Sequence, residues 1–168
     1  MTEPMLSAAL DVLAATPATM RALLTGLPDD MTVAPRAEGW SARDVLAHLL
    51  SLNGPAIVDR VRLILERDEP PIPNIDEEAT LERSGLRTKS VKVLLDEFVR
   101  QRGGAVTWLR GLQPESLERT GQHSVAGTVS ASDLVHHLAW HDLLHVRQVC
   151  ELAAAPLDER RGAMRQFS

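Results

Sequence analysis

The sequence predicts an all-α fold, a bundle of four helices joined by long connections. Alanine and leucine dominate the apolar residues, a composition that favours helices over strands. Four segments repeat their apolar residues at the three- and four-residue spacing of one helical face, and proline-rich or polar stretches separate them. The 168 residues are enough to bury a core without disulfides, so we expect a single domain over residues 1–168.

The first helix is predicted over residues 5–24, where the apolar residues keep helical spacing. Pro17 lies inside this range. Because proline has no backbone N–H and is favoured in the first turn of a helix, we expect the segment to kink or restart there. Thr16 would then be the N-cap of the second part.

The second helix is predicted over residues 41–67 and has the clearest start. Ser41 is the expected N-cap, and Asp44 three residues later can return a hydrogen bond, which is the pattern of a capping box. Gly54 and Pro55 lie inside this helix, so we expect a kink there. The proline-rich residues 68–73 end it.

The third helix is predicted over residues 88–112. Its apolar stripe consists of Val91, Leu95, Phe98, Ala105 and Leu109. Arg102 lies on the same stripe. Such an arginine either pairs with a buried acid, for which Asp59 on the second helix is a candidate, or anchors an anionic substrate.

The fourth helix begins after Ser130, where Asp133 predicts a second capping box. It is expected to end near residue 155, before Pro156, and residues 156–168 are predicted to form a loosely held polar tail. The three connections between the helices are each about a dozen residues or more, longer than usual in a bundle. They do not force a simple up-down-up-down order.

Two histidines of the fourth helix share its apolar face. His141 and His145 are four residues apart and lie in line with Leu134 and Leu138. Side chains at this spacing are within about 6 Å of each other at Cβ, so two imidazoles can bind one metal ion. The alternative is a pair of core histidines that bond to neighbouring carboxylates or to water.

A third ligand must come from another helix, and His48 on the apolar face of the second helix is the candidate. If the second and fourth helices are antiparallel, His48 lies level with His145 and Gln148; if they are parallel, it lies level with His137. Three nitrogen ligands leave open coordination positions, as in catalytic rather than structural sites. Such a set suits one divalent ion, zinc or nickel ahead of iron.

The remaining polar residues of the fourth helix have open roles. Gln148 could bond to a ligand ring or to a bound water, or it could be a polar residue at the end of the seam whose hydrogen bonds are made without any role at the site. His137 could line a cavity, and we expect it not to be a ligand. His136 points to the opposite side and is expected to be exposed. Cys150 projects away from the histidine face, so we expect it to be neither nucleophile nor ligand.

The composition excludes several classes of partner. A formal net charge of −5 argues against non-specific nucleic-acid binding and against an anionic membrane surface. No apolar stretch is long enough to span a bilayer, and the start of the chain lacks the pattern of a signal peptide. The single cysteine, Cys150, rules out an internal disulfide and fits a reducing compartment, so we expect a cytoplasmic protein.

Two motifs carry a resemblance to a known family. GWSARDVLAHLL at residues 39–50, followed by HHLAWHDLLHVRQV at residues 136–149, resembles the DinB-like (DinB/YfiT) superfamily, and nearly the whole chain shares the likeness. The resemblance implies a four-helix bundle in up-down-down-up order, a homodimer, and a metal held by His48, His141 and His145. It also implies thiol transfer with bacillithiol or mycothiol, mycothiol-dependent maleylpyruvate isomerisation, or metal-dependent hydrolysis as the activities to consider.

Three hypotheses for function follow. The first is an enzyme whose metal lowers the pKa of a low-molecular-weight thiol for S-transfer to an electrophile. The second is hydrolysis of a small-molecule substrate by a metal-activated water. The third is a non-catalytic stress or interaction protein whose ion stabilises the bundle. The sequence assigns no catalytic residue beyond the three metal ligands.

Overall fold

The computed structural model describes residues 3–33, 39–52 and 57–167. In these ranges the helices are α1 (Glu3–Thr25), α2 (Asp29–Val33), α3 (Ala42–Leu52), α4 (Asp59–Glu66), α5 (Glu77–Ser84), α6 (Val91–Arg110) and α7 (Ala131–Asp158). The strands are β1 (Pro71–Ile72), β2 (Thr120–His123) and β3 (Gly127–Ser130), and 3₁₀ turns cover Leu86–Thr88, Pro114–Glu118 and Gly162–Phe167. None of the helices in these ranges is long and apolar enough to cross a membrane.

Two hydrophobic clusters define the directions of the four long helices α1, α3, α6 and α7. The first joins the starts of α1 and α7 to the ends of α3 and α6, through Leu10, Leu134, Leu52 and Leu109. The second joins the end of α1 and the later part of α7 to the starts of α3 and α6, through Met20, Val149, Val45 and Leu94. Thus α1 and α7 run one way and α3 and α6 the other. The all-α bundle in up-down-down-up order is confirmed.

The long connections carry the remaining elements. Since α3 and α6 are parallel, the chain must return along the bundle between them, and α4, β1 and α5 lie in that connection. The connection from α6 to α7 contains β2 and β3. The three strands form one sheet in the order β1-β2-β3, parallel between β1 and β2 and antiparallel between β2 and β3. The sequence does not predict this sheet, because strands of two to four residues are too short to display alternation.

Both predicted capping boxes are present. The N–H of Ser41 donates to the Asp44 carboxylate at 3.0 Å, and the N–H of Asp44 donates to the Ser41 hydroxyl at 3.1 Å. At the start of α7, the N–H of Ser130 donates to Asp133 at 2.8 Å, and the return bond is 3.0 Å. Each box satisfies two N–H groups that would otherwise lack partners, and so fixes the residue at which the helix begins.

The predicted restart at Pro17 is wrong, since α1 continues through it. Thr16 is not an N-cap; its hydroxyl donates to the carbonyl of Val12 at 2.9 Å. Proline inside a helix costs about 3 kcal/mol. The fully buried side chains of Leu13 and Met20 on either side contribute about 1.5–3 kcal/mol each, which offsets that cost. The kink expected at Gly54 and Pro55 lies outside the described residues.

The end of the chain also differs from expectation. α7 continues past Pro156 to Asp158, so the predicted end near residue 155 is three residues too early. The segment predicted as a loosely held tail contains the 3₁₀ turn Gly162–Phe167, none of whose residues is buried. Arg161 holds it by donating to the Asp158 carboxylate at 2.8 Å and to the carbonyl of Met164 at 2.7 Å.

A buried ion pair joins α6 to α7. Arg102 and Asp142 are both fully buried, and two N–H groups of the guanidinium donate to the two carboxylate oxygens. Burial raises the pKa of Asp142, and the charge of Arg102 opposes that rise. The predicted partner Asp59 is exposed instead, and Arg102 is too deeply buried to anchor a substrate. Removing one member of such a pair typically costs about 3–5 kcal/mol, because the other charge is then left buried without its partner.

Candidate metal centre

The structure brings His48, His141 and His145 together. The Nε2 atom of His141 lies 3.3 Å from Nε2 of His48 and 3.2 Å from Nε2 of His145. One potential ligand atom from each ring lies within 4.8 Å of the other two. His48 and His145 are buried, and His141 is half-buried. α3 and α7 are antiparallel here, so His48 meets His145 rather than His137.

Hydrogen bonding fixes the orientation of the His145 ring. Its Nδ1–H donates to the side-chain oxygen of Gln148 at 2.8 Å. In the neutral ring, Nε2 then carries a lone pair that points at His141 Nε2. The Nε2 atom of His141 has either one N–H or one lone pair. It therefore cannot form a hydrogen bond with each of the other two Nε2 atoms at the same time. A cation that accepts all three lone pairs fits this arrangement.

The site keeps the imidazoles of His48 and His141 neutral. Burial, and then the neighbouring His145, lowers the pKa of His48 from 6.5 to about 4. The same causes, in the same order, lower the pKa of His141 to about 3. Because a histidine must be neutral to bind a metal, both rings are ready to act as ligands at neutral pH.

Trp40 closes one side of the cluster. Its ring centroid lies 4.6 Å from that of His48, and it stacks on His145 at 6.3 Å with 17° between the planes. Trp40 directly precedes the capping box of α3, so the box that starts this helix also places the indole. The apolar ring shields the imidazoles from water and restricts their movement.

Glu77, at the start of α5, lies beside the cluster, and the sequence analysis did not identify it. Its carboxylate oxygen Oε2 is 3.7 Å from Nε2 of His48, and 54% of its side chain is exposed. The side chain of Asp76 caps this helix by accepting from the N–H of Ala79 at 2.9 Å, and so sets where Glu77 lies. No sequence pattern indicated this position, because Glu77 comes from the crossover connection. The carboxylate can accept a proton from a molecule bound at the histidines.

A cavity of about 310 Å³ opens beside His141. Its polar lining includes Arg60, Glu77, His123 and His137. Its apolar wall is formed by Leu52, Ile57, Ile75, Val129, Leu134 and Leu138. This volume is at the lower end of the range for small-molecule sites. The cavity therefore gives a small organic molecule access to one of the three imidazoles.

Of the α7 residues His136, His137 and Cys150, only His137 lies at the cavity. His137 is exposed and lines the cavity. His136 was expected to be exposed but is half-buried, because its Nδ1 donates back to the carbonyl of Ser132 at 2.8 Å. Cys150 is exposed and does not line the cavity.

Comparison with solved structures agrees with the topology. YfiT from Bacillus subtilis, described as a probable metal-dependent hydrolase with an unusual four-helix bundle topology, matches with a TM-score of 0.82. The match covers 96% of this chain and 90% of YfiT, at 22% sequence identity. At that identity the likeness is one of fold.

Two sequence relatives carry the provisional name of metal-dependent hydrolase. The protein of Oceanobacillus iheyensis is 28% identical over 120 residues, which cover 69% of this chain and 68% of the relative. The protein of Bacillus mycoides is 28% identical over 119 residues, which cover 70% of this chain and 66% of the relative. The sequence profile of the DinB superfamily matches residues 13–149, a range that includes all three histidines of the cluster. The chain belongs to the DinB superfamily.

Proposed function

We propose that this chain is a metal-dependent enzyme in which His48, His141 and His145 hold one divalent cation. The observation that carries the proposal is the convergence of one ring nitrogen from each of the three histidines within 4.8 Å, next to a cavity. Three neutral nitrogen ligands favour zinc or nickel, with iron as a further candidate. A cation bound there would lower the pKa of a thiol or water that coordinates to it.

A low-molecular-weight thiol is the nucleophile that we place first. The cavity has room for an organic molecule, far more than one water needs. The three imidazoles contribute no negative charge, so a thiolate would balance the cation. Glu77, beside His48 and open to solvent, would accept the thiol proton. The thiolate sulfur would then form a bond to an electrophilic carbon as the bond to the leaving group breaks.

Hydrolysis is the second candidate, and the position of Glu77 favours it too. A carboxylate 3.7 Å from His48 Nε2 is placed to accept a proton from an attacking water. The provisional names of the two relatives point the same way. The small-molecule substrate would occupy the same cavity, so the two candidates differ in the nucleophile and not in the site.

Two further expectations belong to the proposal. A homodimer is implied by the family resemblance, and a cytoplasmic location fits the single cysteine and the net charge of −5. Sedimentation velocity of the purified protein would measure the first, and fractionation of the source cells the second. A monomer at micromolar concentration, or recovery from the cell exterior, would contradict the respective expectation.

Elemental analysis tests the metal site. We expect about one zinc or nickel ion per wild-type chain and almost none in His145→Ala. His136→Ala is the matched control, since His136 lies on the same helix but outside the cluster, and it should retain the metal. Circular dichroism would establish that each variant is folded. An absence of metal from wild type, or equal metal in folded His145→Ala, would overturn the proposed site.

Activity assays separate the nucleophiles. The metal-loaded protein is mixed with a chlorobimane and each of several thiols, and separately with model esters and amides without thiol. Turnover that requires a thiol supports S-transfer, and turnover without one supports hydrolysis. If no substrate turns over while metal still raises the melting temperature, the ion is structural and the enzymatic proposal is wrong.

A further inference from the structure

The cavity beside His141 contains an arginine that forms no ion pair with the described residues. Arg60 on α4 lines the cavity and is half-buried. One of its N–H groups donates to the carbonyl of Pro73. Among the described residues, no carboxylate lies within 4.0 Å of its guanidinium. Burial lowers the pKa of Arg60 and the charge of Glu77 raises it, and a guanidinium stays protonated at neutral pH.

His123, at the end of β2, adds a hydrogen-bond donor to the same cavity. Its Nδ1 accepts from the backbone N–H groups of Val125 at 3.2 Å and Ala126 at 3.1 Å. The proton of the neutral ring is therefore on Nε2. Burial lowers the pKa of His123, and Arg60 and His137 lower it further. The ring thus offers an N–H donor and no free acceptor to whatever occupies the cavity.

Neither of the two carboxylates that line the cavity in the described part of the chain forms an ion pair with these donors. Asp133 is engaged in the capping box of α7. Glu77 lies next to His48, at the metal cluster. A guanidinium and an imidazole N–H together suit an anion with two oxygens, which an arginine binds through parallel hydrogen bonds. The apolar wall suits the hydrocarbon part of the same molecule.

We propose that Arg60 and His123 form a subsite for a carboxylate, and that the substrate of this site is a small carboxylic acid with an apolar body. This inference rests on the proposed function for the identity of the site as catalytic, but the subsite itself requires no metal. Arg60 and His123 would hold the carboxylate while the apolar wall covers the hydrocarbon chain. Binding at these two residues leaves the reactive part of the molecule free to reach His141.

The test compares hexanoate with 1-hexanol, which has the same chain length and no charge. Calorimetric titration of the purified full chain should give about tenfold or more tighter binding of hexanoate. Arg60→Gln should remove that preference and leave 1-hexanol binding unchanged, and His123→Phe should weaken hexanoate binding several-fold. Arg60→Lys keeps the charge but loses the planar guanidinium, so its preference for hexanoate should lie between those of wild type and Arg60→Gln. Arg62→Gln, on the exposed side of the same helix, is the matched control and should bind as wild type does.

The same titrations on folded His141→Ala separate this inference from the metal proposal. We expect the hexanoate preference and its dependence on Arg60 to persist there. If the preference disappears in His141→Ala but survives in Arg60→Gln, the carboxylate binds at the histidines and the subsite is wrong. Equal affinity of wild type for both probes would also overturn it. A protein without metal or turnover that still prefers hexanoate through Arg60 would overturn the proposed function alone.

Discussion

Gln148 determines which nitrogen of His145 faces the cluster. Its side-chain oxygen accepts the Nδ1–H of that ring at 2.8 Å, one turn along α7. Partners of this kind orient metal-binding histidines and increase their basicity. The sequence left open whether Gln148 bonds to a ligand ring or only makes its own hydrogen bonds at the end of the apolar face. The structure assigns it to the ring.

We predict that Gln148→Leu weakens zinc affinity by about 10- to 100-fold, because the His145 ring loses its acceptor and can rotate or change tautomer. Gln148→Glu keeps an acceptor at the same position and should bind zinc at least as tightly as wild type. Competition with a chromophoric chelator would measure both affinities. Equal affinities for the leucine and glutamate variants would contradict an orienting role.

At this scale the sequence predicted the histidines but not their surroundings. The four-residue spacing on an apolar face identified His141 and His145, and the same reasoning reached His48. Glu77 and His123 escaped it because they lie in the two long connections. Their positions depend on which strands pair, and strand pairing of this kind leaves no periodic signal in so few residues.

At the scale of the elements, β2 contains the most crowded of the described glycines, Gly121. A Cβ atom added to Gly121 would lie 2.7 Å from the Ile72 side chain and 3.0 Å from the Pro70 carbonyl oxygen. Only glycine allows β2 to approach β1 and the preceding chain so closely. Since β2 also carries His123, this close approach sets where one donor of the cavity lies.

Alanine substitutions at two glycines should have opposite effects. Gly121→Ala should destabilise the protein by about 1–3 kcal/mol, because the backbone oxygen of Pro70 cannot move aside cheaply. Gly103→Ala should stabilise it by about 0.5–1 kcal/mol, because Gly103 lies in α6 with no atom within 4 Å of the new methyl group. Urea denaturation would measure both changes. A neutral or stabilising Gly121→Ala would refute the crowding argument.

The bounds of α1, α6 and α7 were predictable to within a few residues, and both capping boxes were identified from two residues each. The short helices α2 and α5 were not predicted. Local rules failed at Pro17, where buried neighbours offset the proline penalty, and at Pro156, which α7 also includes. They failed also at Arg102, whose partner is Asp142 and not Asp59. At each of these positions the local sequence allows two outcomes, and tertiary packing decides between them.

For the molecule as a whole, the order of the helices depends on long-range packing. The two hydrophobic clusters specify that α3 and α6 are parallel, and a parallel pair requires a crossover connection. Periodicity gave the number of helices and the lengths of the connections, whereas the order came from the family resemblance. The crossover is also what brings Glu77 to the histidines.

The metal-free protein should lose stability in mild acid. The pKa values of His48 and His141, about 4 and about 3, lie below the 6.5 of the unfolded rings. As the pH falls from 6.5 to 4, the unfolded chain therefore binds protons that the folded chain does not. The free energy of unfolding should decrease over this window.

Urea denaturation in the presence of EDTA, at intervals between pH 7 and pH 4, would measure this decrease. In the double variant His48→Leu with His141→Leu, the free energy of unfolding should depend less steeply on pH, because the two histidines no longer contribute. The carboxylates titrate equally in both proteins. Parallel curves for the two proteins would mean that the buried rings do not contribute.

The capping boxes have a consequence for how homologous chains can vary in length. Each box fixes the residue at which its helix begins. The N-cap serine lies seven residues before His48 in α3 and eleven residues before His141 in α7. One residue inserted between a box and its histidine would rotate that ring by about 100° away from the other two. An insertion upstream of the box would leave the ring in place. Deletions and insertions in relatives that keep the site should therefore fall outside these two intervals.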